Sequence, residues 1–209
     1  MSEPLLIAVY GPESTGKTLL AEKLAAHFGA ALVPEYAREF WDRHGLITLE
    51  DIPGIAREQW RREDALLRQG FAGQALLRPV RQAQGSGGQA PPSGGDAGLR
   101  TRALVICDTD ALTTVLWSDL LYGTCPDDVR RGAEQRAKRY ALYLLLDIDV
   151  PFAPDPQRCF PDPTDREKCM RIWRGALDRR QLPYELIQGD WAQREQRAIA
   201  AVGRVLATE

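Results

Sequence analysis

Eight residues near the start of the chain, Gly11-Pro12-Glu13-Ser14-Thr15-Gly16-Lys17-Thr18, match G-x-x-x-x-G-K-[ST] at every fixed position. The chemistry this string supports is phosphate binding. Gly11 and Gly16 let the backbone wrap close to an anion, so that successive N–H groups converge on a β-phosphate. A helix that follows adds the positive end of its dipole. Lys17 is then placed to span the β- and γ-phosphates as a point charge, and the Thr18 hydroxyl to ligate Mg²⁺. The expected ligand is a nucleoside triphosphate with Mg²⁺, gripped by Gly11, Glu13, Ser14, Thr15, Gly16, Lys17, Thr18 and Leu19.

Further along, carboxylates and arginines stand where strands and loops deliver them to such a grip. Glu35 follows a short apolar run and is a candidate base; the alternative is an exposed pair with Arg38 at a helix start. Asp108 closes the run Ala103-Leu104-Val105-Ile106-Cys107, in the manner of a Walker B acid that holds Mg²⁺ directly or through water. Asp110 is either a substrate contact or the N-cap of the next helix. Arg158 lies in a proline-rich stretch and Arg166 just beyond it. Swung over the phosphates they would neutralise developing charge and exclude water; as surface groups they would pair with Asp155, Asp162 or Asp165.

These residues need strands and helices to present them, and the hydrophobic pattern supplies both. Leu5 to Tyr10 reads as a buried parallel strand and Leu19 to Phe28 as a helix, the context that a phosphate loop requires. Gly29 stops that helix, and Ala30 to Pro34 forms a second strand. A helical stretch runs from Asp51 to Leu77 with Pro53 near its start. Within it Trp60, or Trp41 before it, either stacks on a substrate base or packs in the core, and Gln59 is an alternative polar contact. Tyr140 to Asp147 is the next buried strand. The prolines of Ala153 to Pro163 exclude helix and central strand. Thr164-Asp165-Arg166-Glu167 then reads as a capping box launching a helix from Asp165 to Arg180. Leu182 to Ile187 gives a fifth strand, and Gly189-Asp190-Trp191 turns into a last helix, Gln193 to Leu206, with Trp191 beside the nucleotide base or in the core.

The 82–102 stretch, rich in Gly, Pro and Ser, has too little apolar content to pack and reads as a flexible loop, while residues 152–167 read as a small lid. The expected architecture is a single P-loop kinase domain over 1–209, a three-layer α/β/α fold around a five-stranded parallel sheet.

Composition bounds the rest. The 209 residues suffice for a core without staples, and a net charge of −2 gives no basic field that would imply a nucleic-acid partner. Cys107, Cys125, Cys159 and Cys169 have no C-x-x-C spacing, as expected of free thiols in a reducing compartment. No segment approaches 18 apolar residues and no leader pattern opens the chain, so the expectation is a cytoplasmic protein without a membrane partner, a monomer or small homo-oligomer.

Taken together, GPESTGKT at 11–18, PEYARE at 34–39, CDTDALTT at 107–114, DVPFAPDPQR at 149–158 with Asp165-Arg166 beyond it, and QGDWAQRE at 188–195 resemble one family. It is the ribosylnicotinamide kinase domain of bacterial NAD-biosynthesis regulators, whose stand-alone relatives are described as AAA-type ATPases. The resemblance implies transfer of the γ-phosphoryl of ATP to the 5′-hydroxyl of nicotinamide riboside. It implies that Lys17 and Thr18 hold ATP·Mg²⁺, that Glu35 or Asp108 takes the hydroxyl proton, and that Arg158 and Arg166 close over the phosphates. Glu35, Tyr36, Arg38, Gln59, Trp60 and Asp110 are the candidate acceptor contacts, with Glu35 the favoured base and Asp108 the favoured metal ligand. Histidine occurs only at His27 and His44 and no H-x-G-H signature is present, so kinase activity without adenylyl transfer is implied. Another nucleoside or nucleotide kinase, and an ATP-binding regulator that senses a metabolite, are the alternatives.

Overall fold

A computed structural model of the protein describes residues 4–73 and 103–207; the Gly/Pro/Ser-rich stretch 82–102 and the expected helix end at 74–77 lie outside them. Five parallel strands, β1 (Leu5–Tyr10), β2 (Ala31–Val33), β3 (Leu104–Asp108), β4 (Tyr140–Leu146) and β5 (Tyr184–Ile187), form one sheet in the order β2-β3-β1-β4-β5. The helices are α1 (Lys17–Phe28), α2 (Tyr36–His44), α3 (Ile52–Gly73), α4 (Ala111–Tyr122), α5 (Asp127–Ala137), α6 (Pro163–Asp178) and α7 (Trp191–Ala207), with one tight helical turn, Leu49–Asp51, before α3.

The strands are apolar without interruption because helices cover both faces of the sheet. Leu5, Ile7 and Val9 of β1 face one way, with Leu104, Ile106, Leu142, Leu144, Leu146 and Ile187, onto Leu20, Ala21 and Leu24 of α1 and Ala198, Ala201 and Val202 of α7. Leu6, Ala8 and Tyr10 face the other, with Val105, Cys107, Tyr143 and Leu145, onto buried residues of α3, α4, α5 and α6. A fully buried aliphatic side chain contributes about 1.5–3 kcal/mol, so two such layers fix the register of the sheet. Tyr10 closes the second layer: its ring meets Tyr143 edge-on at 5.4 Å and its hydroxyl donates to the Trp173 carbonyl at 3.1 Å. Cys107, Cys125, Cys159 and Cys169 are free, and no helix among the described residues is long and apolar enough to cross a membrane.

The expected five-stranded parallel architecture is the one observed. Local details differ. Helix α6 starts at Pro163, capped by Asp162, whose side chain accepts from Thr164 N–H at 2.8 Å, so the expected capping box at Thr164 gives way to an Asp-Pro start. Helix α5 lies between the third and fourth strands, in a stretch where the sequence analysis placed no element.

Candidate active site

The carboxyl ends of β1, β2 and β3 point the same way, and a cavity of about 610 Å³ opens above them. Register puts Val9 opposite Asp108, so the loop that leaves β1 starts beside the acid that ends β3.

That loop is set by contacts remote in sequence. Gly11 has φ +147°, and a Cβ there would sit 2.9 Å from the Leu146 carbonyl oxygen; only glycine lets the chain pass so close to β4. Gly16 has φ +83°, and a Cβ would strike the Trp191 ring at 2.5 Å. Thr15 is fully buried and donates through its hydroxyl to the Pro12 carbonyl at 2.9 Å. Arg194 of α7, 1% exposed, donates to the carbonyls of Thr15 at 3.0 Å, Asp147 at 2.8 Å and Gly189 at 2.9 Å, and pairs with Asp149. A buried guanidinium is tolerable only when its N–H groups are satisfied in this way.

Lys17, Thr18 and Leu19 open α1 and line the cavity, with Lys17 Nζ donating to the Pro12 carbonyl at 2.7 Å. Glu35, at the end of β2, lines the same cavity. Burial pushes its carboxyl up to about 7; Lys17 opposes this, Asp108 adds to it and Arg38 opposes it. Asp108 is buried just behind, 2% exposed. Its pKa is raised by burial and held down in part by a hydrogen bond from Thr18 and by Lys17. Its Oδ1 is buried and has no hydrogen-bond partner. Such an oxygen beside a hydroxyl suits a hard cation that brings phosphate and water as its other ligands.

Over the loop lies the proline-rich segment 151–162. The Glu13 carboxylate accepts from Cys159 N–H at 3.0 Å and Phe160 N–H at 2.6 Å. Ser14 Oγ accepts from Ala153 N–H at 2.8 Å and from Arg158 at 3.3 Å. Arg38 of α2 holds the same segment through a bidentate pair with Asp155, at 3.0 and 2.5 Å, and through Gln157. Arg158 lines the cavity. Arg166 does not: it donates to the Val150 carbonyl at 3.0 Å and lies 5.8 Å from the Phe152 ring centre, bracing the base of the segment.

Away from the phosphate loop the wall is apolar: Trp41, Ile47, Ile52, Ile55, Trp117, Leu121 and Tyr122. Trp117 stacks on Phe160 of the overlying segment at 6.0 Å and 13°. Gln59, 3% exposed, adds a polar group here, as do Thr109, Thr113 and Thr114. Its oxygen accepts from Tyr36 N–H at 2.8 Å, while its nitrogen is buried without a partner.

Of the residues singled out in the sequence, the cavity gathers Glu13, Ser14, Thr15, Gly16, Lys17, Thr18, Leu19, Glu35, Arg38, Gln59 and Arg158. Trp60 is turned away, because adjacent residues of a helix lie about 100° apart and Gln59 takes the inward direction. Its ring packs on Gly132 of α5 under Arg136. Tyr36 packs edge-on against Phe40 beneath Arg62. Asp110, fully buried, uses both oxygens on Leu112 N–H, Thr113 N–H and the Thr113 hydroxyl, so it caps α4. Trp191 lies outside the cavity against Gly16, half exposed. Trp117, Tyr122 and Arg194 are not singled out by sequence reasoning; Arg194 sits inside QGDWAQRE, and the two aromatics carry no local signal.

A family model described as an AAA domain matches residues 6–194. A search of curated proteins returned no match. Among solved structures the fold is similar to NadR protein in complex with NR, at 18% identity and TM-score 0.69 over 99% of this chain and 52% of that one. It is similar to NadR protein in complex with NAD and AMP-PNP, at 19% and 0.66 over 99% and 50%. It is also similar to thymidylate kinase from Ehrlichia chaffeensis, at 14% and 0.58 over 96% and 100%. The chain spans about half the length of the NadR chains it matches. The likeness is one of fold, that of P-loop nucleoside and nucleotide kinases.

Proposed function

The chain belongs to the AAA-domain family, and on that premise we propose that it is an ATP-dependent kinase whose acceptor is a nucleoside, nicotinamide riboside foremost. The observation that carries this reading is the placement of Glu35 in the same cavity as Lys17, beside the acid that faces Thr18, where burial pushes its carboxyl up to about 7. A general base works best with a pKa near the working pH.

In this reading the Glu35 carboxylate accepts the proton of the acceptor's 5′-hydroxyl as that oxygen bonds to the γ-phosphorus. The bond from phosphorus to the β,γ-bridging oxygen breaks, and ADP leaves. Lys17 and Arg158 offset the charge that develops on the phosphoryl oxygens. Thr18 and Asp108 would hold Mg²⁺, which when bound neutralises phosphate charge. Segment 151–162 serves as the lid, keeping water from competing for the phosphoryl group. The aromatic wall of Trp41, Trp117 and Tyr122 suits a planar ring, and a cationic pyridinium ring gains further from aromatic faces.

The test is ADP release in a coupled assay with nicotinamide riboside, thymidine and deoxyadenosine offered separately. Turnover highest with nicotinamide riboside is the expected result. Preference for another nucleoside moves the acceptor within the same fold, and tight ATP binding with no acceptor phosphorylated points instead to a nucleotide-binding regulator.

A further inference from the structure

Between the acid that ends β3 and the Asp110 cap of α4 stands Thr109, with φ +83°. Among the described residues two others that are not glycine have positive φ, Ser14 at 57° and Gln181 at 53°, both near the left-handed well and neither β-branched. A β-branched side chain at +83° is strained, and glycine or asparagine would fit the backbone more easily. The surroundings hold Thr109 there all the same. Its N–H donates to the Val9 carbonyl at 3.0 Å, and Asp110 immediately after it is locked by three hydrogen bonds.

The strain places a hydroxyl that does nothing for the fold. Thr109 is 4% exposed, its Oγ1 is buried, and no protein group pairs with that oxygen. The residue lines the same cavity as Lys17, Thr18 and Glu35. Strain persisting next to a reaction centre, combined with a buried polar group lacking a partner, is what remains when the partner belongs to a ligand.

We infer that Thr109 is a catalytic residue whose hydroxyl hydrogen-bonds an oxygen at the point of transfer, supplied by the γ-phosphoryl group or by the acceptor hydroxyl. The inference rests on the kinase reading above and adds a contact to it. The Thr109 hydroxyl can accept and donate at once, which suits a position where a hydroxyl turns into a phosphate ester. No bond to Thr109 forms or breaks, and its proton stays on its own oxygen.

Three variants test it, with ADP release, thermal melting and titration of a non-hydrolysable ATP analogue as readouts. Thr109→Val keeps the shape and the strain but removes the hydroxyl; kcat/KM should fall about tenfold or more, with Tm nearly unchanged. Thr109→Gly removes hydroxyl and strain together, so turnover should fall while Tm rises by about 2–5 °C. Thr109→Ser restores the hydroxyl and should bring the rate to within about threefold of the parent.

Weaker binding of the ATP analogue identifies the phosphoryl oxygen as partner; a raised KM for the nucleoside identifies the acceptor hydroxyl. A loss in kcat alone places the contact in the transition state. Thr109→Val turning over as fast as a competent parent overturns the inference by itself. A parent that phosphorylates none of the three nucleosides removes the kinase reading, and this inference with it.

Discussion

The phosphate loop and the proline-rich segment above it meet at Glu13 and Ser14, yet they are held in opposite ways. The loop is positioned by buried structure: Gly11 passes under β4, Gly16 lies under the Trp191 ring, and Arg194 fastens the Thr15 carbonyl. The segment 151–162 has few apolar anchors, Phe160 against Trp117 being the clearest, and is otherwise tied by hydrogen bonds to Glu13, Ser14 and Arg38. The loop therefore keeps its shape through the core of the protein. The segment owes its place to groups on the two halves of the site it covers, the phosphate loop and the helix that follows Glu35. The difference teaches that damage to the loop's charge should abolish chemistry outright, whereas damage to the ties of the segment should leak.

Lys17→Ala strikes the loop side and should have the largest effect, loss of phosphoryl transfer with an unchanged melting temperature, since Lys17 is not part of either core layer. Detectable turnover at the parental rate would remove Lys17 from the phosphates. Next comes Glu35→Gln, expected to lower kcat by ~10²–10⁴-fold while ATP binding holds. The parent's kcat/KM should fall as pH drops below about 7, because protonated Glu35 cannot accept a proton, and this limb should be absent in the variant. A loss confined to KM would make Glu35 a positioning residue.

On the segment side, Glu13→Ala leaves two backbone N–H groups of the segment without their acceptor. The rate should drop about tenfold, about what one net charged hydrogen bond is worth, and ATP hydrolysis uncoupled from acceptor should rise as water gains access. The ratio of ADP to phosphorylated nucleoside reads this directly; a ratio unchanged from the parent would show that the segment does not exclude water. Smallest of all should be Arg38→Ala with Asp155→Ala. The Arg38 side chain is 41% exposed and the pair is worth roughly 0–1 kcal/mol, so a double-mutant cycle should give a coupling of at most a few-fold in kcat/KM. A coupling of a hundredfold would mean that α2 and the segment move as one body.

Legibility in the sequence followed the range of the interactions. The strand–loop–helix at 5–28 could be read because its signal is local and each part confirms the next. Glu35 and Asp108 were placed at the cavity end because apolar runs of strand length deliver whatever follows them to that edge of the sheet. Gln59 and Trp60 show the limit: both sit on a helix with a readable stripe, yet which of them faces the cavity depends on how α3 is rotated against α5. Arg166 reads as a lid arginine from spacing alone, but the Asp162 cap starts α6 two residues sooner than the pattern suggested and leaves Arg166 at the base of the segment. Arg194 and Thr109 lie furthest from local reading. One is defined by carbonyls 5 to 179 residues away, the other by a backbone angle that nothing in its residue type announces.

Arg194 has one more consequence, in time rather than space. A chain under synthesis displays the phosphate-binding string at 11–18 early, but the guanidinium that clasps the Thr15 carbonyl belongs to α7, 179 residues further along. Until α7 has been made the cradle lacks this clasp and rests on its other fastenings, the Thr15 hydroxyl on the Pro12 carbonyl among them. A polypeptide stopped before Arg194 would carry every letter of the motif and should hold ATP more weakly than one that includes it.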